Sequence, residues 1–265
     1  MNDILTIAVE AVRAAGRIQR DRYRTLLTVR HKGAVDLVTD VDLRCEEAIR
    51  EVLARRAPGT AVLGEEAGAT GSGSGRWIVD PLDGTTNYAH RFPVFCASVA
   101  WEEGGRVQAG AIYDPLRDEL FTGLRGCGAR LNGEPVRVSA TGELDRALLA
   151  TGFPYDRRTH PRNYRAFCYL THLTQGVRRG GSAALDLAYV ACGRLDGFWE
   201  PGLKPWDLAA GCLLVEEAGG AVTRYDGGPF TPYDADVVAT NGLLHPRMLE
   251  ELARARTWEL PAEAS

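Results

Sequence analysis

The stretch Asp80-Pro81-Leu82-Asp83-Gly84-Thr85-Thr86-Asn87 follows directly on the apolar run Trp77-Ile78-Val79 and sets two carboxylates three residues apart where a strand ends. The proline and glycine favour a turn, and such a turn can aim both carboxylates and a backbone carbonyl into one small volume. Gly84-Thr85-Thr86 would then open a helical turn whose N–H groups have no preceding turn to bond, a ready anion site. Cations held beside an anion-binding helix start suggest phosphate chemistry. A lone D-x-x-D-G is also what an Asp-Gly turn before a Thr-capped helix looks like, so other acids must decide between the two.

Those acids are Glu65 and Glu66 behind Gly64, Asp207 behind Trp206, and Asp36, Asp40 and Asp42 around a helix start. Each has a plain structural role open to it: Glu65-Glu66 as a solvated loop edge, Asp40 and Asp207 as first-turn charges that suit the helix dipole. What Glu65, Asp80, Asp83 and Asp207 share is position, at strand ends or helix starts beside apolar segments. Hard oxygen ligands without His or Cys select Mg²⁺ or Mn²⁺ over zinc.

The elements that must position these residues follow from periodicity. Ile4, Leu5, Ala8, Val9, Val12, Ala15 and Ile18 recur at helical spacing and predict a helix to about residue 23; a second spans about 40–57, stopped by Pro58-Gly59. Short β-type runs at 61–63, 77–79, 94–101, 107–113 and 119–122, separated by turns such as Gly104-Gly105 and Asp114-Pro115, predict an antiparallel meander. The Gly- and Ser-rich stretch 68–75 reads as a mobile loop. Beyond about residue 140, strands near 147–151, 177–179, 197–199, 221–224 and 237–239 alternate with helices near 163–174, 183–192 and 206–218, and a last helix spans about 246–256. That is an α/β pattern. No repeat or long linker divides the chain, so it reads as one domain over 1–265, with halves at about 1–140 and 141–265.

With 265 residues, 45% hydrophobic and 25% charged, the composition is that of a globular protein with a sizeable core. Thirty-one Lys and Arg against 35 Asp and Glu, without a run of one sign, give no support to nucleic-acid or membrane-surface binding. The six cysteines form no C-x-x-C pair and read as reduced, mostly buried small hydrophobes. The first 23 residues lack a signal peptide's apolar region and no segment has the length of a membrane span, which predicts a cytoplasmic location.

Four separated blocks carry a resemblance: Asp36-Leu37-Val38-Thr39-Asp40-Val41-Asp42, Gly64-Glu65-Glu66, Asp80 through Asn87, and the run from Gly181-Ser182-Ala183 through Glu200 to Trp206-Asp207. In these, and over nearly its whole length, the chain resembles the bacterial members of the inositol monophosphatase family, Mg²⁺-dependent and lithium-sensitive phosphatases. The resemblance implies alternating helix and sheet layers, an αβαβα sandwich, with a largely antiparallel sheet in the N-terminal half, a mixed one in the C-terminal half, and metals between the halves. It implies a first metal site of Glu65, Asp80, the Leu82 carbonyl and Thr85, a second of Asp80, Asp83 and Asp207, and a weaker third using Glu65 and water. Gly84 and Thr85 match the phosphate-holding backbone donors, and Asp42 matches the acid that bonds the Thr85 hydroxyl. Asp83, the backbone near Ala183, and Glu200 match the groups that read substrate hydroxyls.

The activity implied is hydrolysis of a phosphate monoester by metal-activated water, with two or three Mg²⁺ (or Mn²⁺), Glu65 as base and Thr85, polarised by Asp42, orienting the water. Five acids in one place would repel one another and raise their pKa values, and divalent ions would relieve that and reverse the sign of the site. Inositol-1-phosphate is the first substrate implied. Fructose-1,6-bisphosphate, histidinol phosphate and 3'-phosphoadenosine 5'-phosphate are the alternatives within the superfamily, and a non-catalytic partner of a transcription complex is the alternative of another class. Lys204 and Arg178-Arg179-Gly180 fall at positions that vary within the family and bear on the substrate. A homodimer is the implied assembly, with no membrane and no direct nucleic-acid partner.

Overall fold

Amphipathic spacing builds the first layer. Helix α1 (Asn2–Arg22) buries Ile7, Ala8, Ala11, Val12 and Ala15 along one stripe. Strands β1 (Val29–His31) and β2 (Leu37–Thr39) pair antiparallel, and the Thr39 hydroxyl then caps α2 (Asp40–Arg56) by accepting from Val41 N at 3.1 Å. The structure, a computed structural model, describes residues 2–25, 29–31, 37–154 and 163–259, so Asp36 of the first block lies outside the described residues.

The large sheet takes β3 (Ala61–Gly64), β4 (Gly68–Thr70) and β5 (Gly75–Asp83), then, after the short helix α3 (Thr85–Ala89), β6 (Cys96–Glu103), β7 (Arg106–Asp114), β8 (Glu119–Leu124), β9 (Gly128–Leu131) and β10 (Glu134–Val136). Its order is β10-β9-β8-β7-β6-β5-β3-β4. From β5 to β8 it is the meander that the turn residues predict, and β9 and β10, which the periodicity does not mark, extend it antiparallel. Two further features depart from prediction. Strand β3 runs parallel to β5, because β4 returns the chain antiparallel along the outer edge of β3 before β5 begins. Residues Gly68–Thr70, expected in a mobile loop, are a short edge strand antiparallel to β3.

The second half supplies β11 (Leu148–Thr151), α4 (Tyr164–Leu173), β12 (Gly176–Arg178), α5 (Ala183–Ala191), β13 (Gly197–Pro201), α6 (Pro205–Glu217), β14 (Ala221–Thr223), β15 (Asp236–Thr240) and α7 (His245–Ala255). These strands form a mixed sheet of order β12-β11-β13-β15-β14. Its α-helices match prediction to within one or two residues.

Helices α1 and α2 cover the outer face of the large sheet, α5 and α6 fill the space between the sheets, and α4 and α7 cover the outer face of the small one. This is the five-layer αβαβα order. The middle layer is apolar nearly all round: Leu185, Leu187, Val190, Leu208, Leu213 and Val215 are each at most 1% exposed, as helices wedged between two sheets require. All six cysteines are free, but only Cys45, Cys96 and Cys212 are buried; Cys127 is exposed and Cys168 and Cys192 lie between, so the expectation of mostly buried thiols holds for half of them. Among the described residues no helix is long and apolar enough to cross a membrane.

Candidate active site

Parallel pairing brings the first two acids together. Gly64 is the register partner of Val79, and Glu65 N donates to Val79 O at 3.2 Å, so the residues that follow each, Glu65 and Asp80, stand side by side. The loop carrying Glu65 is tied down by Glu46 of α2, a buried carboxylate that accepts from Glu66 N (2.8 Å) and Ala67 N (3.2 Å) and pairs with Arg50 at 2.8 Å. Glu46 is absent from the sequence reading; a charge beside the apolar stripe of α2 was its only signal.

The second acid pair is set by a bulge. Asp80 pairs with Ser98 and Asp83 with Cys96, so three steps along β5 match two along β6. In a regular strand positions i and i+3 face opposite sides; the extra residue returns Asp83 to the side of Asp80. The acids thus lie within β5 rather than in a turn beyond it, a correction to the sequence reading, and a proline fits because a bulge leaves an N–H unpaired. Gln19 of α1, buried, donates through Nε2 to the bulge carbonyl of Pro81 at 2.8 Å and to Cys96 O at 3.1 Å. An amide in the apolar stripe of α1 was the sequence signal for it.

Each carboxylate is then anchored by neighbours. Asp80 Oδ1 accepts from Leu82 N at 3.0 Å, Asp83 Oδ2 from Ser182 Oγ at 2.6 Å and Ala184 N at 2.8 Å, and Asp207 Oδ2 from Lys204 N at 2.7 Å. The other oxygens of Asp80 and Asp207 take no bond from described residues. Thr85 Oγ1 has one proton and two acceptors, Asp42 Oδ1 at 2.8 Å and Leu82 O at 3.0 Å; Asp42 is itself held by Thr39 N and Oγ1 at 2.8 and 2.6 Å. Gly84, at φ +96°, precedes α3, and a Cβ there would come 2.9 Å from Val94 O, so only glycine fits.

Glu65, Asp80, Leu82, Asp83, Gly84, Thr85, Ala183, Glu200 and Asp207 all line one cavity of about 450 Å³, while buried Asp42 stands behind Thr85. Every site residue of the sequence reading is therefore brought together, directly or through one hydrogen bond. The N–H beside Ala183, that of Ala184, is given to Asp83. Arg179 and Lys204 reach the same cavity, as does Asp186, which the sequence reading did not single out.

Burial, and then the charges of Glu65, Asp83 and Asp207, push the Asp80 carboxyl well above its ordinary range. Burial followed by Asp83 pushes Asp207 up to about 8, and burial raises Asp83 and Asp42 against the bonds each accepts. The Cys96 thiol, buried and facing Asp83, is held well above its usual value and stays neutral, so it offers no nucleophile. Like charges this close, with oxygen lone pairs to spare, fit a hard divalent cation. Among the described residues no three of these acids stand close enough together to form a closed ligand group.

The sequence pattern of the inositol monophosphatase family matches residues 1–260. The chain belongs to the inositol monophosphatase family. It is 48% identical over 258 residues to the inositol-1-monophosphatase of Synechocystis sp., covering 96% of this chain and 90% of that protein. It is 43% identical over 258 residues to the Nus factor SuhB of Escherichia coli strain K12, covering 95% and 96%. The solved inositol monophosphatase from Anabaena (Nostoc) sp. superposes with a TM-score of 0.87 at 48% identity, covering 94% of this chain and 95% of that one. Family membership accounts for the layer order, and the acid-lined cavity between the sheets lies where the resemblance implies.

Proposed function

We propose that this chain is a Mg²⁺-dependent phosphate monoester hydrolase that converts inositol-1-phosphate to myo-inositol and phosphate. The observation that carries this is one cavity holding an acid cluster, an anion-ready helix start and a buried glutamate facing the space left for an alcohol. Glu65, Asp80, Asp83, Asp207 and the Leu82 carbonyl would hold two or three Mg²⁺ (or Mn²⁺). When bound, the metal supplies positive charge to the phosphate and to the leaving oxygen and acidifies the attacking water.

The chain's own groups do the rest. Thr85 donates its proton to Asp42, which turns an Oγ1 lone pair toward the water, and Glu65 accepts the water's proton. The N–H groups of Gly84 and Thr85 hold phosphate oxygens. Asp83 and Glu200 accept from ring hydroxyls, with the backbone at Ala183 beside them. The whole chain acts as one domain, which the packing of α6 against both sheets supports. The six free cysteines suit a reducing cytoplasm. Lithium sensitivity and a homodimer follow from the family resemblance.

Initial rates on a panel of phosphate esters, with and without Mg²⁺, test the proposal. Mg²⁺-dependent release of phosphate should be fastest from inositol-1-phosphate; preference for fructose-1,6-bisphosphate, histidinol phosphate or 3'-phosphoadenosine 5'-phosphate would reassign the substrate. The name of the SuhB relatives favours a second reading, a partner in a transcription complex. Absence of hydrolysis of every ester would leave that reading in place.

A further inference from the structure

We propose that Asp186 is a second hydroxyl-reading carboxylate, acting beside Glu200 on the alcohol half of the substrate. This rests on the phosphatase reading above and adds a specificity-determining residue to it. Asp186 sits in the first turn of α5, is 5% exposed, and lines the same cavity as Glu200, which is 7% exposed. Neither carboxylate accepts a hydrogen bond from any described residue. A carboxylate taken this far from water without donors is costly, and the donors that remain are those a ligand or its water brings into the cavity.

Helix capping does not account for Asp186, because the cap of α5 is Ser182, whose Oγ accepts from Leu185 N at 3.4 Å. Space has been kept for both acids instead. A Cβ on Gly180 would lie 2.6 Å from Asp186 Oδ1, and one on Gly152 would collide with the Glu200 carboxylate. The charges divide the same way: Asp80 is acted on by Glu65, Asp83 and Asp207, whereas Glu200 is acted on by Asp186, Arg179 and Asp83. Asp83, together with Asp207, on which Glu200 also acts, thus borders two acid groups, one suited to cations and one, offset by the Arg179 guanidinium, suited to neutral donors. A ring carrying several hydroxyls supplies such donors; an aryl ester does not.

The test compares wild type, Asp186→Asn and Asp186→Ala on inositol-1-phosphate, on p-nitrophenyl phosphate and on monodeoxy inositol-1-phosphates, all with saturating Mg²⁺. Calorimetric titration with myo-inositol gives a second readout that needs no turnover. The variants should lose about 10- to 100-fold in kcat/KM on inositol-1-phosphate, mostly in KM, and at least about tenfold less on p-nitrophenyl phosphate. One deoxy analogue should lower wild type and leave the variants where they are, and myo-inositol should bind the variants more weakly. Equal losses on both esters, or unchanged myo-inositol affinity, would overturn the assignment; thermal unfolding shows which variant is folded, and Asn serves where Ala is not. A wild type that hydrolyses no ester removes the phosphatase reading, whereas a normal wild type with no selective loss removes Asp186 alone.

Discussion

Ser182 Oγ donates to Asp83 Oδ2 at 2.6 Å, joining a bulge in the large sheet to the cap of a helix 99 residues further along the chain. The bond leaves Asp83 oriented by one oxygen while the other remains for a ligand. Asp83→Asn keeps an oxygen for Ser182 and Ala184 but replaces a ligand oxygen with an amide. It should cut kcat by at least about 10²- to 10³-fold, the scale of one lost electrostatic contact to the transition state. Ser182→Ala should cost about 1 kcal/mol of stability through the lost cap and raise the Mg²⁺ requirement while sparing most of kcat. Near-normal turnover of Asp83→Asn would remove that residue from the mechanism.

The Thr85–Asp42 bond makes a separate claim. Thr85→Val keeps the shape and removes the proton donor, so kcat should fall by about 10²-fold or more, whereas Thr85→Ser should stay within about tenfold of wild type. A Val variant as active as the Ser variant would show that the hydroxyl serves packing only.

Burial, then Asp186, raises the Glu200 carboxyl to about 8, against an ordinary value of 4.5. The folded state therefore holds more protons than the unfolded one between those values, and stability should fall as pH rises through this window and level off above it. One such group gives a slope of up to about 1.4 kcal/mol per pH unit. Urea midpoints in chelator from pH 5 to 8 measure it, and Glu200→Gln should flatten the curve. An unchanged slope in that variant would assign the protons to Asp80 and Asp207, whose shifts have the same sign.

Glu200→Gln should also impair inositol-1-phosphate far more than p-nitrophenyl phosphate, since only the former offers a ring hydroxyl. Parallel losses on the two esters would make Glu200 a structural residue.

Lithium should inhibit uncompetitively with substrate, because an ion held by Asp80, Asp83 and Asp207 beside bound phosphate has half the charge of Mg²⁺ in the same oxygen set. Asp207→Ala should raise the Li⁺ and Mg²⁺ requirements together. Full activity in a large excess of Li⁺ at every substrate concentration would mean a second site unlike the family's.

The helices, most strands and the acids are legible in the sequence alone. Apolar residues at period 3.6 or 2 report which face each segment buries, and Asp80 through Asn87 had to be special because a proline and two acids close a β-run. The sequence does not determine which strand edges meet. Parallel pairing of β3 with β5, which sets Glu65 beside Asp80, depends on β4 folding back along the outer edge of β3; the bulge, which puts Asp83 on the face of Asp80, depends on register with β6. Both are non-local hydrogen-bond choices that leave no trace in periodicity, since a slipped or reversed strand can carry the same alternation. Asp186 is not legible in the sequence for a related reason: an aspartate in a helix's first turn looks the same in sequence whether it faces solvent or a cavity, and only the packing of α5 between the two sheets removes it from water.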